Sequence, residues 1–108
     1  MFEKRLSPVA RLLVGLQVAE HAPATRLRIG AIDIVHLPGE PFVEFQLFAQ
    51  QQAAKETFTC VAGYGECGVW YYGPDQIFLD RGGYEQTWSL TGPCQSLVER
   101  ALSELIQR

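Results

Sequence analysis

The sequence has few of the features that would point to a cellular setting. No apolar run approaches the roughly 20 residues that cross a bilayer as a helix, so no membrane span is expected. Met1 to Arg5 is charged and no short apolar stretch with a cleavage site follows, so no secretory signal is evident and location stays open. Basic residues are outnumbered, 9 Lys and Arg against 12 Asp and Glu for a net charge of −3. A surface that tracks phosphates needs the opposite balance, which argues against nucleic acid as a partner. Histidine is scarce: His21 and His36 are not at zinc-finger spacing. The three cysteines, Cys60, Cys67 and Cys94, cannot all pair within one chain, and no Cys-x-x-Cys occurs. They read as ordinary part-buried thiols, with a Cys60–Cys67 bridge left open. At 108 residues the chain suits one small soluble domain, 1–108, and its 47% hydrophobic and 19% charged content is ordinary for one.

Along the chain, Ser7-Pro8 reads as the N-cap and first position of a helix over Val9 to Glu20, with Ala10, Leu13, Leu16 and Val18 apolar. His21 to Ala24 is a connector. Thr25 to Leu37 reads as a strand pair or one bent strand, with Gly30 as its turn or bulge. Pro41 to Ala54 predicts a helix. Phe42, Phe45 and Ala49 form one stripe and Val43 and Leu47 another, while Glu44, Gln46, Gln50 and Gln51 can face water. Thr57 to Ala62 is rich in β-formers and reads as a central strand. From Gly63 to Gly83 no period holds. Long loops of this kind are usually functional or disordered, and Trp70, Tyr71, Tyr72 and Phe78 argue against disorder. Thr91-Gly92-Pro93 opens a last helix with Leu97, Val98, Ala101, Leu102 and Leu105 on one face and Glu99, Arg100, Glu104 and Gln107 on the other. No internal repeat or low-complexity segment occurs. The fold class is α/β, a small mixed sheet of about three to four strands with packed helices.

Leu37-Pro38-Gly39-Glu40-Pro41 lies where an apolar strand gives way to a helix. Pro38 and Gly39 break the strand, and Pro41 suits a first helical position. Glu40 is therefore expected at or beside the N-cap, where backbone N–H groups and the helix dipole favour an acid. A Glu there is held in a defined place, as a metal ligand or general base must be. It also reads simply as a capping acid on a surface turn.

Gly63-Tyr64-Gly65-Glu66-Cys67-Gly68 matches G-x-G-x-x-G after a strand, but Val69-Trp70-Tyr71-Tyr72-Gly73-Pro74 is poor material for the helix that a dinucleotide site requires. The glycines are better explained as points where backbone passes close to a site or a neighbouring strand.

Three blocks share an order and spacing: Leu37-Pro38-Gly39-Glu40-Pro41-Phe42-Val43-Glu44-Phe45-Gln46-Leu47, then Ala62-Gly63-Tyr64-Gly65 with Gly68 and Tyr71, then Gly82-Gly83-Tyr84-Glu85. From about Arg26 to Glu85, and more loosely into both flanking helices, the chain resembles the C-terminal portion of the catalytic domain in the neutral/alkaline ceramidase family, nearest to its uncharacterised bacterial ceramidase-like members. The resemblance implies part of a larger α/β zinc-hydrolase domain. In that family zinc is held by two histidines, a glutamate and a tyrosine, and an activated water attacks an N-acyl amide. The family's glutamate lies in a Pro-Gly-Glu-Phe turn, which matches Glu40, although Pro41 intervenes before Phe42. Its tyrosine matches Tyr71, with Tyr72 as the alternative. A carboxylate is a normal zinc ligand, and a tyrosine beside zinc can ligate as phenolate or donate to an oxyanion. Tyr71 reads equally as an aromatic that packs its loop on the core.

The departures from the family are specific. Both histidine ligands and a serine-containing segment of the family's site lie upstream of anything in this chain. His21 falls in a connector and His36 at a strand end, and the asparagine of true ceramidases is replaced by Glu66 or Cys67. Catalytic zinc usually has three protein ligands, so Glu40 and Tyr71 make half a metal site.

Two principal functions are expected. The first is a segment or reduced relative of a zinc-dependent N-acyl amide hydrolase, inactive alone, in which Glu40 and Tyr71 are metal residues and Tyr71 is catalytic. Whether the chain itself is an enzyme stays open. Zinc then belongs to the full-length family and is not held tightly by this chain, and the partner is the missing N-terminal part of the domain. The second is a non-catalytic interaction module that retains part of the fold and self-associates, since truncating a parent domain exposes an apolar face or edge. A third reading is a small-ligand binder with Trp70 to Phe78 as a pocket wall.

Overall fold

The computed structural model describes residues 23–65, 71–79, 83–89 and 91–108. The helix expected over Val9 to Glu20 lies outside the described residues. The expected strand pair is a hairpin, β1 (Thr25–Ile29) and β2 (Ile32–His36), turned at Gly30 with φ 60°. Its antiparallel register runs from Thr25↔His36 to Ile29↔Ile32. The chain then makes the short strand β3 (Glu40–Pro41) and helix α1 (Val43–Gln52), and returns as β4 (Phe58–Ala62). β4 lies parallel to β2, from Ile32↔Phe58 to His36↔Ala62. A return of this kind needs a crossover, which α1 supplies. The sheet order is β1-β2-β4, so β2 is central. Among the described residues β4 is therefore an edge strand, which corrects the expectation of a central one.

The free edge of β4 is closed by a side chain. Phe58 N–H donates to Ala31 O at 2.8 Å and Leu37 N–H to Ala62 O at 2.9 Å, which turns the intervening Thr59 and Val61 backbone outward. Gln46 Nε2 donates to Thr59 O at 3.0 Å, and Val61 N–H donates to Gln46 Oε1. The glutamine expected to face water instead takes the place of a neighbouring strand.

The last helix, α3 (Gln95–Gln107), and α1 cover one face of the sheet. The buried core is Val35, Leu37, Phe45, Ala49, Tyr72, Leu102 and Ile106. Asp33 is buried on this face among them. It accepts from Arg26 Nη2 at 2.6 Å and from Arg28 Nε and Nη2 at 2.8 and 2.9 Å. Arg26 Nη1 in turn donates to Leu105 O of α3 at 2.7 Å, which ties the helix end to the hairpin. The opposite face carries Leu27, Ile29, Ile32 and Phe58. The register aligns Ile29, Ile32 and Phe58 side by side, with Leu27 two residues along β1, and they stay exposed, Ile29 at 59% and Phe58 at 66%.

The loop expected from Gly63 to Gly83 contains local structure that periodicity does not reveal. It holds β5 (Tyr71–Tyr72) and a 3-10 turn (Asp75–Phe78), and the one-turn helix α2 (Tyr84–Thr87) follows it. β5 pairs in parallel with β3, Glu40↔Tyr71 and Pro41↔Tyr72. The expected fold class holds: this is a small mixed α/β protein with a three-stranded sheet, a two-stranded ribbon and three helices among the described residues. No helix among the described residues is long and apolar enough to cross a membrane.

Candidate functional site

Glu40 is not an N-cap. The residue before a proline is pushed out of the helical region, and Gly39, at φ 65°, turns the chain so that Glu40 and Pro41 run extended beside β5. Phe42 N–H, the first donor after the proline, bonds Tyr72 O at 3.0 Å. The helix begins only at Val43, with an extended Phe42 as N-cap and no side-chain cap. Glu44 is the acid of its first turn. Glu40 is thus held by strand pairing.

That pairing brings the two expected site residues together. Glu40 and Tyr71 are registered partners in a parallel ribbon, so they sit side by side. Tyr72 points the other way. It is 2% exposed and its ring lies 5.6 Å from that of Phe45 in the core. Between the two alternatives, Tyr71 is the tyrosine beside Glu40. Its ring also meets Tyr84 edge-on at 5.7 Å, and Tyr84 meets Trp88 at 6.2 Å.

A third residue, Tyr64, completes the group. Its hydroxyl donates to Glu40 Oε2. Tyr64 is the one non-glycine at positive φ among the described residues, at 58°. Left-handed backbone costs an L residue on the order of 1–2 kcal/mol. Three backbone bonds hold it there: Leu37 N–H to Ala62 O, Tyr64 N–H to Gly39 O, and Gly65 N–H to Leu37 O at 2.9 Å. The flanking glycines allow this close approach. A Cβ at Gly63 would lie 3.0 Å from Pro41 Cδ, and one at Gly65 would lie 3.2 Å from Leu37 O. The glycines of the rejected dinucleotide motif that are described, Gly63 and Gly65, therefore seat one segment on another.

The hydrogen bond to Glu40 pushes the Tyr64 phenol up to about 12. Tyr71 is also raised, first by desolvation and then by the neighbouring Glu40, with Tyr84 and Glu85 adding to the effect. Both phenols therefore keep their protons at neutral pH, and Tyr64 faces Glu40 as a donor.

Glu40 lines two open clefts. One, of about 390 Å³, includes Phe42, Gln46, Val61 and Tyr64. The other, of about 260 Å³, is formed by Glu40, Pro41, Phe42, Tyr71 and Glu85. A separate apolar groove of about 390 Å³ lies on the α3 side of the same turn, with Leu37, Pro38, Tyr72, Cys94 and Val98 in its lining. Glu85 reaches the smaller cleft from α2.

His36 ends β2 and lines neither Glu40 cleft. His21, Glu66 and Cys67 lie outside the described residues. Cys60 and Cys94 are free thiols. The Cys60 thiol donates to Asp33 O at 3.6 Å, and burial pushes the Cys94 thiol up.

Glu40 and Tyr71 offer two adjacent oxygen donors of a kind zinc accepts. No group of three or more His, Cys, Asp or Glu that could hold a metal gathers among the described residues. The fit is therefore to half a site. Tyr64 and Glu85 are the functional candidates that residue-by-residue reading passed over. The signal for Tyr64 was present: a bulky residue between two glycines directly after a strand. No protein-family model, curated protein or solved structure matches this chain.

Proposed function

We propose that this chain is a segment or reduced relative of a zinc-dependent N-acyl amide hydrolase, to which it contributes Glu40 and Tyr71. The observation that supports this reading is the β3·β5 register, which pairs the two residues that the ceramidase-like resemblance selects, although they are far apart in sequence. Zinc, when bound, supplies an ionised water at neutral pH and polarises the amide carbonyl. Glu40 would hold the metal through a carboxylate oxygen. Tyr71 would either ligate after losing its proton or keep that proton and donate it to the oxygen on which charge develops. As the resemblance implies, the two histidine ligands would come from polypeptide other than this chain, so the chain alone would not turn over substrate.

Zinc uptake at neutral pH, measured calorimetrically on the purified chain, tests the proposal. Weak binding that is lost in Glu40→Gln and reduced in Tyr71→Phe is expected. Equal uptake by wild type and Glu40→Gln, or none in the wild type at millimolar zinc, would overturn it.

The exposed apolar face of the sheet favours a second reading. Leu27, Ile29, Ile32 and Phe58 form a surface of the kind that further polypeptide covers, as expected of an interaction module.

A further inference from the structure

We propose that Tyr64 is the positioning residue for Glu40: it holds one carboxylate oxygen and leaves the other for the cleft shared with Tyr71 and Glu85. The inference rests on reading Glu40 as a site carboxylate. Four observations carry it. The Tyr64 hydroxyl donates to Oε2 of Glu40, and to that oxygen specifically. Tyr64 occupies a left-handed backbone position that glycine fills at less cost, and non-glycine residues retained in such conformations cluster at functional sites. Its backbone is fastened to the turn that carries Glu40, by Tyr64 N–H to Gly39 O and Gly65 N–H to Leu37 O. Gly63 is pressed against Pro41, the residue after Glu40, so donor and acceptor are mounted on one rigid unit.

The chemistry of the donor matters as much as its place. The ion pairs among the described residues join Arg26 and Arg28 to Asp33, and Glu40 takes part in neither. A guanidinium would fix the carboxylate but cancel its charge. A phenol fixes it while remaining neutral, so the attraction for a cation is kept. Tyr71 is registered beside Glu40 on a different strand. Tyr64 is therefore the neutral donor that holds Glu40, and it has no other assigned role. Partners of this kind, which orient a ligand without touching the metal, typically account for 10–100-fold in metal affinity.

The test is NMR of the chain labelled with ¹³C-glutamate, comparing wild type with Tyr64→Phe. That substitution removes only the hydroxyl and keeps the ring. In the wild type, Glu40 is expected to show two distinct γ-proton shifts and a fixed contact to the Tyr71 ring. In Tyr64→Phe the shifts should collapse and that contact should weaken, while Glu85 is unchanged. Equal dispersion of the Glu40 signals in both proteins would overturn the proposal, as would averaged signals in the wild type. A zinc titration of the same samples separates the two levels of inference. If Glu40→Gln abolishes uptake and Tyr64→Phe weakens it 10–100-fold, both stand. If Tyr64→Phe binds as the wild type does, the positioning role falls and the site reading survives. If Glu40→Gln binds as the wild type does, the site reading falls, and the NMR comparison alone decides whether Tyr64 orients Glu40.

Discussion

Two carboxylates in this protein are held by opposite means, and the difference separates structure from chemistry. Asp33 is buried and meets two guanidiniums, which hold its carboxyl far below the usual range, the bond from Arg28 being the largest cause and that from Arg26 the next. Its charge is cancelled where it stands, so its role is to join the hairpin to α3 through Arg26. Glu40 meets phenols and opens on clefts. Removing Asp33 would leave Arg26 nearly buried without its counter-charge. Asp33→Asn should therefore destabilise by about 3 kcal/mol at pH 7, the lower end for a broken buried pair because Arg28 is 52% exposed. The pH dependence has a definite sign. A carboxyl depressed in the fold adds stability above its unfolded value of about 3.9 and loses it as pH falls below. In urea titrations, the gap between wild type and Asp33→Asn should be constant from pH 7 to 5 and shrink steadily toward pH 2. A gap independent of pH would show that the ion pairs are not its source.

At the scale of elements, the β3·β5 ribbon positions the site, and its tolerance is small. Gly73 follows Tyr72 directly, and a Cβ there would sit 2.8 Å from two ring atoms of Phe42, the N-cap of α1. Gly73→Ala must push β5 or the helix start aside. The expected cost is about 1–3 kcal/mol, as for other overpacked sites, with a shift of the Tyr71 ring relative to Glu40. Thermal melts and the Tyr71 NMR signals check both; an unchanged melt with unmoved Tyr71 would mean the ribbon yields freely. The same ribbon marks the limit of what sequence reading could reach. The hairpin, α1, β4 and α3 were legible because their apolar periods and the turn at Gly30 are local signals. Glu40 was misread as a cap because Pro41 fits a first helical position equally well, and only the distant Tyr71–Tyr72 segment decides the matter. Gln46 reads as a residue that can face water because helical pattern treats any amide as polar surface, whereas here it bonds the edge of β4. β-former content suggested a central β4, yet strand order is set by pairing, which no single strand encodes. Leu97 fits the apolar stripe of α3 but is 57% exposed, because the helix buries a narrower face through Leu102 and Ile106. The Glu40–Tyr71 pair was reached through resemblance, and its geometry came only with the register.

At the scale of the whole molecule, the described residues cover the sheet on one face and leave the other open. Strand pairs that run parallel are normally buried on both faces, and β2 and β4 are parallel with Ile32 and Phe58 exposed side by side. The size of the patch decides what can hold it. Three strands of five residues span roughly 17 Å by 14 Å at ordinary strand geometry, or about 240 Å². A stable interface between two proteins buries about 800 Å² on each side. Self-association through this face alone should therefore be weak, visible only at high protein concentration, whereas polypeptide continuous with the chain would gain from being tethered. Sedimentation velocity over a wide concentration range is expected to show reversible association in the wild type. The doubly substituted Ile29→Lys, Phe58→Lys protein should stay monomeric, with stability altered by only about 0.5 kcal/mol per exposed site. A wild type that stays strictly monomeric at the highest concentrations would remove the support for the interaction-module reading. Association that survives both lysines would move the contact elsewhere, since charge on both flanking strands leaves no continuous apolar face to share.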